Sequence, residues 1–104
     1  MLPSKGIISG LMFTDEQIVS RILLKLFRHG KWGGAHTSFE NLKKGWSNRD
    51  LGKEGLRRID KLVKELVKEG LILTKPTHYG VQVGLNPRYS QEILQKIKQF
   101  FPEA

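Results

Sequence analysis

Apolar residues along this chain recur with two different periods, and the change of period divides it into elements. Ile18, Ile22, Leu23, Leu26 and Phe27 are spaced as one helical face, with Arg21, Lys25 and Arg28 elsewhere. Thr14-Asp15-Glu16-Gln17 ahead of them is a capping-box pattern and Gly30 supplies a stop, which together predict a helix over 15–29. Lys31-Trp32-Gly33-Gly34-Ala35-His36 is too rich in glycine for a helix and reads as a connection with room for a very short strand. Thr37-Ser38-Phe39-Glu40 is a second capping pattern. It opens a short helix through Asn41, Leu42, Lys43 and Lys44 that Gly45 ends, with Phe39, Leu42 and Trp46 as its buried side. A polar turn, Ser47-Asn48-Arg49-Asp50, leads into the longest helical pattern, 51–69, striped by Leu56, Ile59, Leu62, Val63, Leu66 and Val67 and capped by Gly70. Gly52 and Gly55 each weaken its first turn by up to about 1 kcal/mol relative to alanine.

Beyond Gly70 the period falls to two. Residues 71–75 and 81–85 read as strands, Pro76-Thr77-His78-Tyr79-Gly80 as the hairpin tip, and Val81, Val83 and Leu85 as one face. After Asn86-Pro87 a last helix, 90–101, starts with its cap near Ser90 or Arg88-Tyr89. It carries Ile93, Leu94, Ile97, Phe100 and Phe101 and stops at Pro102. The order predicts a mainly α fold with a small β-hairpin, in the α+β class: a three-helix core, the hairpin and a C-terminal helix. Residues 1–13 form an N-terminal arm and 14–104 one domain. The arm is expected to lay Ile7, Ile8 and Phe13 on the body; a dimerising or DNA-reaching arm is the other reading.

Composition removes several kinds of chemistry. The 104 residues contain no cysteine, so there is no disulfide, thiolate zinc site or cysteine nucleophile, and three scattered histidines do not replace them. Neither metal nor cofactor is expected, and no serine, histidine and carboxylate set groups by motif, so catalysis is not expected either. Gly33-Gly34 lacks the lysine and the preceding strand of a phosphate loop. The apolar run of the first residues is broken by Gly6, Ser9 and Gly10 and falls short of the roughly 18 residues of a membrane span. That favours an intracellular, cytoplasmic protein.

Charge then gives direction. Eighteen Lys+Arg against ten Asp+Glu leave +8, which suits nucleic acid, an acidic protein or an anionic membrane surface. From Lys43 to Lys64 there are eight cations (Lys43, Lys44, Arg49, Lys53, Arg57, Arg58, Lys61, Lys64) and three anions (Asp50, Glu54, Asp60), so +5 of the +8 falls in 22 residues. Lys53, Arg57, Lys61 and Lys64, spaced 4, 4 and 3 apart, line one edge of the long helix. An ordinary solvated face with Asp60-Lys64 and Lys61-Glu65 pairs is the alternative. A membrane partner loses support, because the basic helix uses its apolar face for the core.

A short helix, a turn, a longer basic helix and a hairpin follow one another as in a helix-turn-helix with a wing. Leu66-Val67-Lys68-Glu69-Gly70-Leu71-Ile72 is similar to the L-x-x-x-G-L-I junction between recognition helix and wing. Tyr79-Gly80 with Val83-Gly84-Leu85-Asn86-Pro87 resembles the return strand of the wing and the entry to the last helix. Over residues 15–101 the chain therefore resembles a winged helix-turn-helix domain of small archaeal and bacterial transcription regulators. The resemblance implies a regulator that reads duplex DNA, with Lys53, Glu54, Arg57, Arg58, Lys61 and Lys64 on the recognition helix. Arg57 is the candidate for a bidentate guanine contact, and Arg58 and Lys61 for a base edge or phosphate. Lys43, Lys44, Ser47, Asn48 and Arg49 would meet phosphates from the preceding helix and turn, and Lys75, Thr77, His78 and Tyr79 would form the wing contact.

Winged helices also serve as protein-interaction and RNA-binding modules, so both remain open. Phe27, Trp32, Phe39 and Trp46 read as core, and His36 as a surface or hydrogen-bonding residue. Asp15 and Glu16 complement a helix dipole. The surplus of apolar residues on the last helix leaves a strip for a second subunit, so a homodimer through that helix or through the N-terminal arm is an expectation. With one small domain, an effector pocket is not expected.

Overall fold

A computed structural model describes residues 13–44, 46, 48–78 and 80–104, with the backbone alone for residues 48–53. Of the expected arm only Phe13 is described, packed against the core with its ring edge-on to Trp46 at 5.9 Å; its other residues, Ile7 and Ile8 among them, and the candidates Ser47 and Tyr79 lie outside the described residues. The chain forms α1 (Asp15–Arg28), β1 (Thr37–Ser38), α2 (Phe39–Lys43), α3 (Asn48–Lys68), β2 (Ile72–Thr77), β3 (Gly80–Leu85), a 3₁₀ turn (Pro87–Tyr89) and α4 (Ser90–Lys98). Among the described residues it is a small α+β domain of four α-helices and one three-stranded antiparallel sheet.

Local chemistry sets most helix ends. At the start of α1 the capping box is complete: Gln17 N–H donates to Thr14 Oγ1 at 3.1 Å and Thr14 N–H to Gln17 Oε1 at 2.8 Å. Ser38, rather than Thr37, caps α2, its Oγ accepting from Asn41 N–H at 3.0 Å. Gly70 ends α3 with φ +88°. The Gly70 and Leu71 amides turn back to the Val67 and Leu66 carbonyls, each at 3.0 Å.

Four expectations need correction. The sheet has three strands in the order β1-β3-β2, because Thr37 pairs with Val83 and Ser38 with Gln82. The connection before them also leans on β3: Leu85 N–H donates to Lys31 O at 2.7 Å and Gly33 N–H to Leu85 O at 2.9 Å. Gly84 permits that approach, since a Cβ there would stand 3.1 Å from Ala35 O. The expected five-residue tip is largely strand, with Pro76 opposite Val81 and Thr77 opposite Gly80. Proline is tolerated there because β2 is an edge strand. The expected polar turn is shorter, and Asn48, Arg49 and Asp50 belong to the first turn of α3. Finally, α4 stops at Lys98 rather than Phe101, and Asn86 organises its entry: Nδ2 donates to Gly70 O at 2.8 Å, while Oδ1 accepts from Arg88 N–H at 3.1 Å.

One core unites these elements. Ile18, Ile22, Leu23 and Leu26 of α1 meet Ile59, Leu62, Val63 and Leu66 of α3, Val83 and Leu85 of β3, and Ile93 and Ile97 of α4. Each fully buried Leu or Ile contributes about 1.5–3 kcal/mol of burial free energy. Ser20 Oγ, buried in α1, donates to Lys96 O at 2.6 Å and ties α1 to α4. The aromatic expectations hold: Trp46 is buried, and Phe27, Trp32 and Phe39 pack at the core's margin. Val81 points along the face of Val83 and Leu85 but remains exposed, because the hairpin runs out past the core.

Candidate nucleic-acid interface

The buried stripe of α3 fixes what its other side presents. With Ile59, Leu62, Val63 and Leu66 inward, Glu54, Arg57, Lys61, Lys64, Glu65 and Lys68 are exposed. At about 100° and 1.5 Å per residue, Arg57, Lys61, Lys64 and Lys68 fall within an arc of about 60° and form a row about 16 Å long. They border a shallow hollow whose lining also includes Val67 and the carboxylates Asp60 and Glu65. The row holds three of the expected site residues and adds Lys68, which sequence reasoning placed in solvent but left out of the site. The spacing 57, 61, 64, 68 was the available signal. Lys53 lies one turn before the row, on described backbone.

Arg57 and Glu54 form an ion pair at 3.4 Å, with both side chains largely exposed. Such a pair is worth about 0–1 kcal/mol and opens readily for another acceptor. Arg57 is the tenth of the 21 residues of α3, just before the middle of the helix. Neither of the expected solvated-face pairs, Asp60-Lys64 or Lys61-Glu65, forms; Asp60 turns to Lys43 instead.

Two expected contact residues have partners within the fold. Arg58 Nη2 donates to Asp15 Oδ1 at 2.6 Å and to Phe13 O at 3.0 Å, joining α3 to the start of α1. Asp15 therefore does more than complement a helix dipole. Lys43 lies between Glu40 and Asp60, 3.4 Å from each, with its ammonium 4.7 Å from the Phe39 ring centroid. Both cations hold elements together. Arg21 does the same, its guanidinium 4.1 Å from the centroid of Trp46.

The remaining candidates lie on two other elements. Lys44, the C-cap of α2, is exposed. On the hairpin Lys75, Thr77 and His78 are exposed, and Thr77 Oγ1 donates to Gly80 O at 2.7 Å across the tip. For His36, expected to be a surface or hydrogen-bonding residue, Nδ1 is buried with no hydrogen-bond partner among the described residues.

Among the described residues no three His, Asp or Glu side chains are placed to hold a metal ion, and no helix is long and apolar enough to cross a membrane. Fold and surface together define a small α+β domain with a basic outer helix face. No protein-family model, curated protein or solved structure matches the chain significantly.

Proposed function

We propose that this chain is a winged helix-turn-helix domain that binds duplex DNA through α3 and the β2–β3 hairpin and acts as a transcription regulator. The observation that carries the reading is the row of Arg57, Lys61, Lys64 and Lys68 on the face of α3 opposite the core. A helix fits the roughly 12 Å width of a major groove, and a row of cations along it meets phosphates while Arg57 reaches a base edge. The order of helices and strands supports the same reading, since the hairpin follows α3 directly and projects past the core, as a wing follows a recognition helix. A homodimer through α4 belongs to the proposal, with Phe100 exposed beside it; such a dimer sets two α3 helices roughly 34 Å apart. Sedimentation as a monomer at tens of micromolar removes the dimer from it.

Electrophoretic titration with random-sequence duplex across salt concentrations tests the reading. On random duplex, where Arg57 meets a phosphate in place of its base edge, the α3 row with Lys44 and Lys75 gives a log-log slope of about −5, and affinity falls about a thousandfold between 50 and 200 mM salt. Absence of binding even at low salt overturns it and leaves a protein-interaction module. Preference for structured RNA over duplex DNA in competition identifies an RNA-binding winged helix.

A further inference from the structure

Outside α3, cations also gather in a hollow of about 370 Å³ between the end of α1 and α2. Its lining includes Lys25, His29, Lys31 and Lys44 together with Thr37 and Asn41, and no carboxylate. Its volume lies in the small-ligand range of about 300–1,000 Å³.

Part of its positive charge answers the fold itself. Two helix C-termini end here, α1 at Arg28 and α2 at Lys43, and each carries about half a negative charge. Lys25 Nζ is committed to one of them, donating to Asn41 O at 2.8 Å and Leu42 O at 3.4 Å. Against about one negative charge from the two ends stand three lysines, so about two positive charges are unmet. The ammonium groups of Lys31 and Lys44 have no carboxylate partner among the described residues. Thr37 Oγ1 accepts from Asn41 Nδ2 at 3.3 Å, which leaves its hydroxyl hydrogen to donate.

We propose that this hollow binds a phosphate group as its dianion, with Lys31 and Lys44 as the charged donors and Thr37 as a neutral one. A phosphate ester carries a charge near −2 at neutral pH, which matches the unmet charge, whereas a carboxylate supplies half of it. The group is a terminal phosphate monoester of a free small molecule, because a phosphate of a duplex backbone is a diester and carries a single charge. The site stands apart from the α3 row, shares only Lys44 with the proposed duplex contacts, and does not rest on duplex binding at α3.

Inorganic phosphate at pH 7.5 is titrated into the full chain against sodium chloride of equal ionic strength, with backbone amide shifts as the readout. Phosphate-specific shifts centre on residues 25–44, and Lys31→Ala with Lys44→Ala weakens binding about tenfold or more, as loss of charge-assisted hydrogen bonds requires. Lys31→Gln with Lys44→Gln, which keeps side-chain length, gives the same loss should the alanine variant unfold. Shifts no larger than those in chloride, or shifts that survive both double variants, overturn the proposal. Methyl phosphate and dimethyl phosphate, mainly a dianion and a monoanion at this pH, complete the test. Methyl phosphate reproduces the shifts, and dimethyl phosphate reproducing them at equal strength overturns the assignment to a dianion.

Discussion

The two sides of α3 hold the same kinds of side chain in opposite circumstances. Along its seam with α1 and α2, Arg58 is bound to Asp15 and to a backbone carbonyl, and Lys43 reaches across from α2 to Asp60. Along its outer face Arg57, Lys61, Lys64 and Lys68 stand in solvent, and only Arg57 has an acidic partner among them, three residues away on the same helix. A charge run counted along the chain mixes the two populations. The partner of each cation separates charge that holds the fold from charge that remains for a ligand.

The largest effect that can break this comparison is loss of the outer row. Replacing Lys61, Lys64 and Lys68 together by alanine is expected to weaken duplex binding about a hundredfold near physiological salt and to flatten the log-log salt slope by about three. Thermal unfolding should stay near wild type, because none of the three supports the core. A large fall in the unfolding midpoint with an unchanged salt slope would move these lysines into the structural population. Arg57 sharpens the outer face further. Arg57→Ala is expected to cost about 1–3 kcal/mol on a selected binding site and much less on random duplex. Equal losses on both DNAs, measured by competition at fixed salt, mean that α3 meets phosphates without reading sequence.

How far the sequence showed this division follows from the range of the forces involved. The helical faces of α1 and α3, the Thr14 capping box and the Gly70 stop were legible because each rests on neighbours within one or two turns. Strand β1 was not, since Thr37 and Ser38 become strand only by pairing with Val83 and Gln82, far along the chain. Pro76 was read as a turn residue because proline removes a ladder donor, and only its place on an edge strand excuses it. The early start of α3 went unread because Gly52 and Gly55 lower the helix propensity of its first turns. In the candidate site Arg57, Lys61 and Lys64 came from spacing alone. That Arg58 and Lys43 also hold the fold went unread, because their partners, 43 and 17 residues away, cannot be inferred from a helical period.

The smaller effects test the seam. Arg58→Ala removes a part-buried guanidinium from Asp15 and from the Phe13 carbonyl, and since Asp15 stays largely exposed the expected destabilisation is about 1 kcal/mol. A cycle with Asp15→Ala should return a coupling of about 0.5 kcal/mol in denaturant unfolding. An additive cycle means that Arg58 acts through the carbonyl alone. Lys43 should show the least. Its two carboxylates are both 3.4 Å away and its ammonium also faces the Phe39 ring, so Lys43→Ala is expected to cost about 0.5 kcal/mol of stability. The salt slope of duplex binding should stay unchanged, whereas Lys44→Ala, one residue on, should weaken cognate and random duplex alike and flatten that slope by about one. A slope that flattens equally for both neighbours would show that Asp60 releases Lys43 to the duplex, and the seam would then belong to the interface.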